Sequence, residues 1–524
     1  MDWNFPYSSK RMPLLAANCV ATSQPLASQA GLAMLAKGGN AVDAAIAAAV
    51  ALTVVEPVMN GIGGDAFAIV AEGGELHGLN ASGRAPRGWS PARFAGRDSM
   101  PALGWDTVTV PGAVSAWAAL HGKFGRLPFA MLFEPAIRYA RDGFLVTPVI
   151  AGMWREQAKT LRQFSGFAQT FLLDGRAPAA GEVFRCRDQA ETFELIAESK
   201  GEAFYRGRIA ERIAAAAKAD GGALSAEDLA EHRADWVAPL GVDFKGYRIH
   251  ELPPNGQGLA ALIALGVLDR IDIAGLDPDG AQMQHLQIEA TKLGMADVKA
   301  HVGDPQSMRL RAEELLTPGY LDERARRIDR ARAIAPHPGR PRQHGTVYLA
   351  AADSGGMMVS YIQSNYRGFG SGVVVPGTGV ALNNRGNCFV LEPGHPNQVG
   401  PGKRPLQTII PGFATKDGAP VAAFGVMGGA MQPQGHVQVG ARLFAAGQNP
   451  QAAVDAPRWR VEGDKVMIEA AWGQGFRAAL ADHGHDLLES PPLGFGAAQV
   501  IWRLGAGGYV GASESRRDGQ AVGF

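Results

Sequence analysis

The sequence predicts an α+β fold in which a helix-rich first part gives way, at Thr346, to a strand-rich second part. Three observations carry that expectation. From about Gly112 to Leu316 the apolar residues recur mostly at helical spacing, and after Thr346 they fall in short runs broken by Gly, Pro, Asn and Asp. Between the two lies Ala333 to His344, with three prolines and no periodicity, which reads as an exposed connector.

Of the 524 residues, 46% are hydrophobic and 19% charged, enough apolar material for a large core. Lys+Arg and Asp+Glu are both 50, so the formal net charge is +0 and nothing draws the chain to nucleic acid or an anionic membrane. A small molecule is the expected partner. Cys19, Cys186 and Cys388 are too few and too scattered for a disulfide framework or a metal cluster, and neither they nor the histidines, among them His344, His436, His483 and His485, show ligand spacing. No metal or cofactor is expected, and a reducing cytoplasmic setting is. The N-terminus lacks a convincing signal peptide. The most hydrophobic segment, Ala41 to Val55, carries Asp43 and ends at Glu56-Pro57, so no transmembrane helix is expected.

Taken in order, Pro25 opens a helix running to Ala36 that stops at Gly38-Gly39, and Asn40 caps an alanine-rich helix to Val54. That second helix is apolar on nearly all sides and must be buried. The turn Gly61-Ile-Gly-Gly-Asp65 leads into the strand Ala66 to Val70. Helices follow near 129–142, 203–219, 257–270 and 280–300, with a short one opened by Ser225-Ala-Glu-Asp. Beyond the connector, strands are expected at Thr346 to Ala351, Met358 to Ser364, Gly379 to Leu382 and Val421 to Val426, and helices at about Gln434 to Ala446 and 473–483. There is no internal repeat and no low-complexity tract.

Gln343-His344-Gly345-Thr346 admits two readings. Thr346 is a β-branched residue opening a strand, or it becomes a chain terminus whose own α-amine, titrating near 8, serves as base for its hydroxyl. Gly345 tolerates the distorted backbone that an internal attack needs.

Other segments decide between these by resemblance. Ala21-Thr-Ser23, Lys37-Gly-Gly-Asn-Ala-Val-Asp43, Glu56-Pro57 with Gly61-Ile-Gly-Gly-Asp65, Val110-Pro-Gly112, Pro253-Pro-Asn-Gly-Gln-Gly258, Glu289-Ala290 with Lys292, and Gly303-Asp-Pro305 lie in the first part. His344-Gly-Thr346, Gly370-Ser-Gly372, Leu382-Asn-Asn384, Gly402-Lys-Arg-Pro-Leu406, Gly428-Gly429, Ala456-Pro-Arg458 and Gly511-Ala-Ser513 lie in the second. In this order they resemble the γ-glutamyltransferase family of N-terminal-nucleophile hydrolases, also called glutathione hydrolases.

The resemblance implies a four-layer αββα sandwich made jointly by two segments, with Thr346 at the sheet edge facing a cleft. It implies that the precursor cuts itself between Gly345 and Thr346 into a large subunit, 1–345, and a small one, 346–524, which are paired and open to higher oligomers. Thr346 would then attack an amide carbonyl, Gly428 and Gly429 would form the oxyanion hole, and Ser364 would hydrogen-bond the nucleophile. Either Asn365 or Tyr366 fills the next family position, an asparagine.

The family's head-group contacts have changed. Where an acidic residue meets the substrate ammonium, simple alignment gives Cys388, and the family's serine pair has become Gln407-Thr408. The carboxylate-binding arginine is displaced to Arg84, with Ser82 in the aligned place. Arg385 either offers a second positive group or is an exposed loop charge. Loss of the acid removes roughly 2 to 4 kcal/mol from a zwitterionic glutamyl head group. The leading expectation is an amidohydrolase for γ-glutamyl compounds such as glutathione, using water or an amine as acceptor. The alternative is an acylase for glutaryl, cephalosporin-type or oxamate-like amides, and a non-catalytic scaffold is the minor one. Gly368-Phe-Gly-Ser-Gly372 lacks the spacing of a phosphate loop, and the basic run Arg324 to Arg332 follows Asp322 and Glu323 as a solvated helix face does.

Overall fold

Two seven-stranded sheets packed face to face form the centre of the molecule, in a computed structural model that describes residues 3, 10–334, 346–505 and 507–524. One sheet runs in the order Leu14–Ala16, Tyr509–Ser513, Ala497–Arg503, Ala419–Met427, Gly412–Lys416, Tyr247–Glu251, Leu240–Phe244. The other runs Gln520–Gly523, Cys19–Thr22, Val347–Ala352, Met358–Ser364, Asp65–Glu72, Glu75–Asn80, Asp235–Val237. Both sheets therefore draw strands from before and after Thr346. Helices Pro25–Ala36 and Ala41–Val55 cover the second sheet, while Gly258–Asp269 and Met431–Gly440 cover the first, which completes the α/β/β/α layering. Among the described residues no helix is long and apolar enough to cross a membrane.

Local chemistry explains the first layer. Gln24 accepts hydrogen bonds from the N–H groups of Leu26 and Ala27, and Pro25 occupies the first helical position, where a missing N–H costs nothing. Asn40 and Asp43 close a reciprocal capping box on Ala41–Val55, whose every residue is buried. The Asp43 carboxylate also accepts from Arg126 N–H and Leu127 N–H, which pins the end of helix Ala113–Phe124 beside this cap.

Several expected elements differ in extent. The segment expected as one helix near 203–219 breaks at Gly207 into Glu202–Arg206 and Arg208–Ala219, because Gly207 is extended (φ −133°, ψ −151°). The first turns of the one near 129–142 are a 3-10 helix. The hairpin Leu240–Phe244 and Tyr247–Glu251 interrupts the helical part, since its strands pair at the edge of a sheet completed by residues from beyond position 400. Gly379 to Leu382 contributes only the two-residue strand Val380–Ala381. Thr346 immediately precedes Val347–Ala352, the third strand of its sheet, so it stands at the end of an interior strand and not on an edge strand.

At the end of the buried helix, Glu56 is wholly inaccessible and takes a 2.5 Å hydrogen bond from Ser23 Oγ. Burial outweighs that bond and the nearby Arg517, and raises the carboxyl to about 7. Between the unfolded value near 4.5 and about 7 the native state keeps a proton that the unfolded chain has released, so this contribution to stability declines as pH rises through that window. Glu56→Gln is expected to remove that slope. Measured by denaturant unfolding, the wild-type advantage over the variant should shrink by up to about 3 kcal/mol across the window; an advantage that does not change with pH would refute the assignment.

Candidate active site

The register of two adjacent strands sets the centre of the site. Val347 pairs with Gln363, so Thr346 and Ser364, one position further along each strand, stand opposite each other. Thr346 Oγ donates to Ser364 Oγ at 3.3 Å, and both residues are inaccessible to solvent. Ser364 Oγ also accepts the Tyr366 N–H at 2.7 Å. From the start of the helix that follows a strand of the facing sheet Gln432 reaches across, its Nε2 donating to Thr346 Oγ at 3.3 Å while its Oε1 accepts the Ile410 N–H at 3.0 Å. The amide of Gln432 is thereby fixed in orientation, and with it the threonine hydroxyl. Sequence reasoning missed Gln432; its position, three residues after Gly429 at the start of a helix, was the available signal.

Gly428 and Gly429 form the turn between strand Ala419–Met427 and helix Met431–Gly440. Both have positive φ, 122° and 60°, and a Cβ on Gly428 would lie 3.0 Å from Gly496 Cα. Their carbonyls are used, by Met431 N–H for Gly428 and by Gln432 N–H and Gln257 Nε2 for Gly429. Among the described residues their own N–H groups donate to nothing. Two free N–H groups at a helix N-terminus suit an oxyanion. His436 braces the same strand: its Nε2 accepts the Val426 N–H, so its Nδ1 carries the proton given to Glu251 Oε1 at 2.6 Å.

A cleft of about 460 Å³ opens beside this centre. Its walls include Gln257, Tyr366, Cys388, Thr408 and Ala430, together with the charged residues Lys292, Lys299, Arg367 and Glu392. Gln257 Nε2 joins wall and turn, donating to Thr408 O at 2.6 Å and Gly429 O at 2.8 Å. A wider hollow of about 640 Å³ around Tyr247, Arg248 and Asp417 holds none of these groups.

The other candidate residues divide clearly. Cys388 and Thr408 line the cleft, and so does Tyr366, whereas the Asn365 side chain is packed against Gly61 and Gly64 and leaves no room for a Cβ at either. Arg84, expected near the substrate, is outside the cleft lining: its Nη1 donates to Gly402 O at 3.0 Å and lies 3.4 Å from Asp304. Ser82 is likewise taken up in a buried network, donating to Asn80 Oδ1 at 2.7 Å. Gln407 is turned away from the cleft, its Nε2 on Asp65 Oδ2 at 2.7 Å. Arg385 is not an exposed loop charge; it is fully buried, with Nη1 on Thr408 Oγ at 2.8 Å and Nε 3.7 Å from Asp65 Oδ2. Burial raises the Asp65 carboxyl to about 6, with Arg385, Gly83 N–H and Gln407 drawing it part of the way back, so it is ionised at neutral pH. Gly345 lies outside the described residues.

His485, discounted on spacing, meets His285 and Glu289 across the fold, with ligand atoms within 4.8 Å of one another. The Lys292 ammonium already sits 2.7 Å from Glu289 Oε1 and is the cation of that cluster.

The gamma-glutamyltranspeptidase family model matches residues 27–524. Among curated proteins, the chain is 35% identical over 516 residues to the glutathione hydrolase-like YwrD proenzyme of Bacillus subtilis, covering 95% of this chain and 97% of that one. It is 37% identical over 514 residues to the oxamate amidohydrolase proenzyme of Klebsiella pneumoniae, covering 95% and 97%. Its structure is similar to that of a cephalosporin acylase from Bacillus halodurans, with a TM-score of 0.96 and 47% identity over 100% of this chain and 99% of that one. A match over nearly the whole chain, on a fold of the same four layers, makes this protein a member of the gamma-glutamyltranspeptidase family of enzymes.

Proposed function

We propose that the chain is a self-cleaving threonine amidohydrolase of the acylase type, acting on amides whose acyl group lacks an α-ammonium. One observation carries the chemistry: the Thr346 hydroxyl is held between Ser364 and Gln432, and the turn leading into the helix of Gln432 carries two glycine N–H groups that donate to nothing among the described residues. In the precursor, Thr346 Oγ attacks the Gly345 carbonyl, its proton passes to the departing amide nitrogen, and water hydrolyses the resulting ester. That yields 1–345 with a new carboxylate and 346–524 with a free α-amine. In turnover the amine takes the Oγ proton as Oγ attacks the substrate carbonyl, and the oxyanion rests on the N–H groups of Gly428 and Gly429. The ammonium then protonates the leaving amine as the C–N bond breaks, and water discharges the acyl ester by the reverse proton route.

The acyl preference is supported by what surrounds the cleft. At Cys388 there is no carboxylate to meet an ammonium, and the cationic Arg385 stands against it, with Nη1 3.9 Å from the Cys388 sulfur. Glu392, the acidic side chain on the cleft wall, is exposed at its outer part. The relatives' names cover glutathione, oxamate and cephalosporin amides, and their common denominator is the amide bond.

In a parallel assay, glutaryl p-nitroanilide should be turned over at least as fast as the γ-glutamyl compound; a preference of more than about tenfold for γ-glutamyl, near 1.4 kcal/mol, would contradict the reading. Gln432→Leu removes one weak hydrogen bond to the nucleophile and should lower kcat about tenfold with little change in KM. Gln432→Glu keeps the Ile410 contact but sets a carboxylate beside the α-amine, so the acid limb of its pH–rate profile should move to higher pH. An unshifted limb would show that Gln432 does not act on the reacting centre.

A further inference from the structure

Arg385 belongs to the short turn Arg385–Cys388, and its side chain is inaccessible to solvent. A buried guanidinium calls for acceptors on all of its N–H groups, and this one lacks them. Nη1 is satisfied by Thr408 Oγ, but among the described residues Nε and Nη2 have no hydrogen-bond partner. Asp65 does not fill the gap, because Oδ1 is taken by Gly83 N–H at 2.9 Å and Oδ2 by Gln407 Nε2 at 2.7 Å, leaving Arg385 Nε 3.7 Å away. Asp65 therefore balances the charge without completing the hydrogen bonding.

The guanidinium adjoins the cleft through its Nη1 and its ring-facing side. Thr408 and Cys388, which touch Nη1, and Tyr366, whose ring lies 4.5 Å from the guanidinium carbon, are all cleft walls. The same walls are tied to the reacting centre, Tyr366 through its N–H on Ser364 Oγ and Thr408 through the Gln257 amide shared with Gly429. A guanidinium with donors still open, beside a wall hydroxyl in a site of low dielectric, matches a carboxylate held at a set distance from the attacked carbonyl.

We infer that Arg385, with the Thr408 hydroxyl, is the receptor for a carboxylate on the far end of the acyl chain, so that the preferred substrates are monoamides of short dicarboxylic acids. This rests on the amidohydrolase reading above. It gives Arg385 the recognition role that the position of Arg84, engaged with Gly402 and Asp304, leaves unfilled.

The test compares p-nitroanilides of glutaric and butyric acid, which share a three-carbon alkyl chain beyond the amide carbonyl and differ in the terminal carboxylate, on wild type, Arg385→Gln and the double variant Asp65→Asn/Arg385→Gln. In wild type, kcat/KM should favour glutaryl by at least about tenfold, and in Arg385→Gln that ratio should fall toward one, mostly through KM. Conversion to two chains reports folding, and the double variant, which leaves no buried charge unpaired, serves where the single one stays whole. As a measurement without mutation, glutaramate should inhibit wild type at least about tenfold more tightly than butyramide. A wild-type ratio near one, a ratio that survives the substitution in a processed variant, or equal inhibition by the two amides would each overturn the receptor while leaving the amidohydrolase reading intact. A wild-type chain that hydrolyses neither anilide would overturn both.

Discussion

The pairing of Val347–Ala352 with Met358–Ser364 is the constraint on which the rest of the site depends. A strand in the interior of a sheet cannot slip by one residue without turning every buried side chain to the opposite face. Val347 to Ala352 are all buried, with neighbouring strands on both sides, so the register is fixed along the whole strand. That register places Thr346 opposite Ser364. The facing sheet then brings the glycine turn and Gln432 from a strand and helix some eighty residues away, and the two layers of β-structure meet where the hydroxyl stands.

Electrostatics adds a second level of organisation. Next to the cleft the interior holds an acid and a base, Asp65 and Arg385, at a separation too long for a hydrogen bond. Such a pair carries a desolvation cost that close mutual contact normally offsets, and here the contact is incomplete. Asp65 has spent its oxygens on backbone and amide donors, which hold the turn after Gly64 against the segment that follows Asn80. The carboxylate that braces the sheet is thus also the counter-charge of Arg385. Stability and specificity are expected to be coupled there.

Much of this was legible from the sequence where the signal is local. Pro25 marks a helix start by its fixed φ and missing N–H, and Asn40 with Asp43 and Ser225 with Asp228 do so through side-chain to backbone bonds within three residues; the structure contains each of those helices. The hairpin Leu240–Glu251 was hidden because its partners lie more than 160 residues away, so its strands look like interruptions in a helical segment. The same physics governs the site. Thr346, Ser364 and the glycine pair could be placed by resemblance, because ordered motifs carry them. Arg385 could not be told from a loop charge, since its burial depends on Asp65 and Thr408, 320 residues before it and 23 after it in sequence. Arg84 and Ser82 sit near the expected position along the chain, but Arg84 Nη1 is on Gly402 and the Ser82 hydroxyl is on Asn80. The approach of His485 to His285 spans 200 residues, beyond any spacing rule.

The account stands on a threonine hydroxyl that acquires its own α-amine as base. Intact mass determination with N-terminal sequencing of the purified, active protein addresses this directly. The account predicts two chains, the smaller beginning Thr-Val-Tyr-Leu at Thr346. A protein that hydrolyses amides while its Gly345–Thr346 bond remains whole would contradict it.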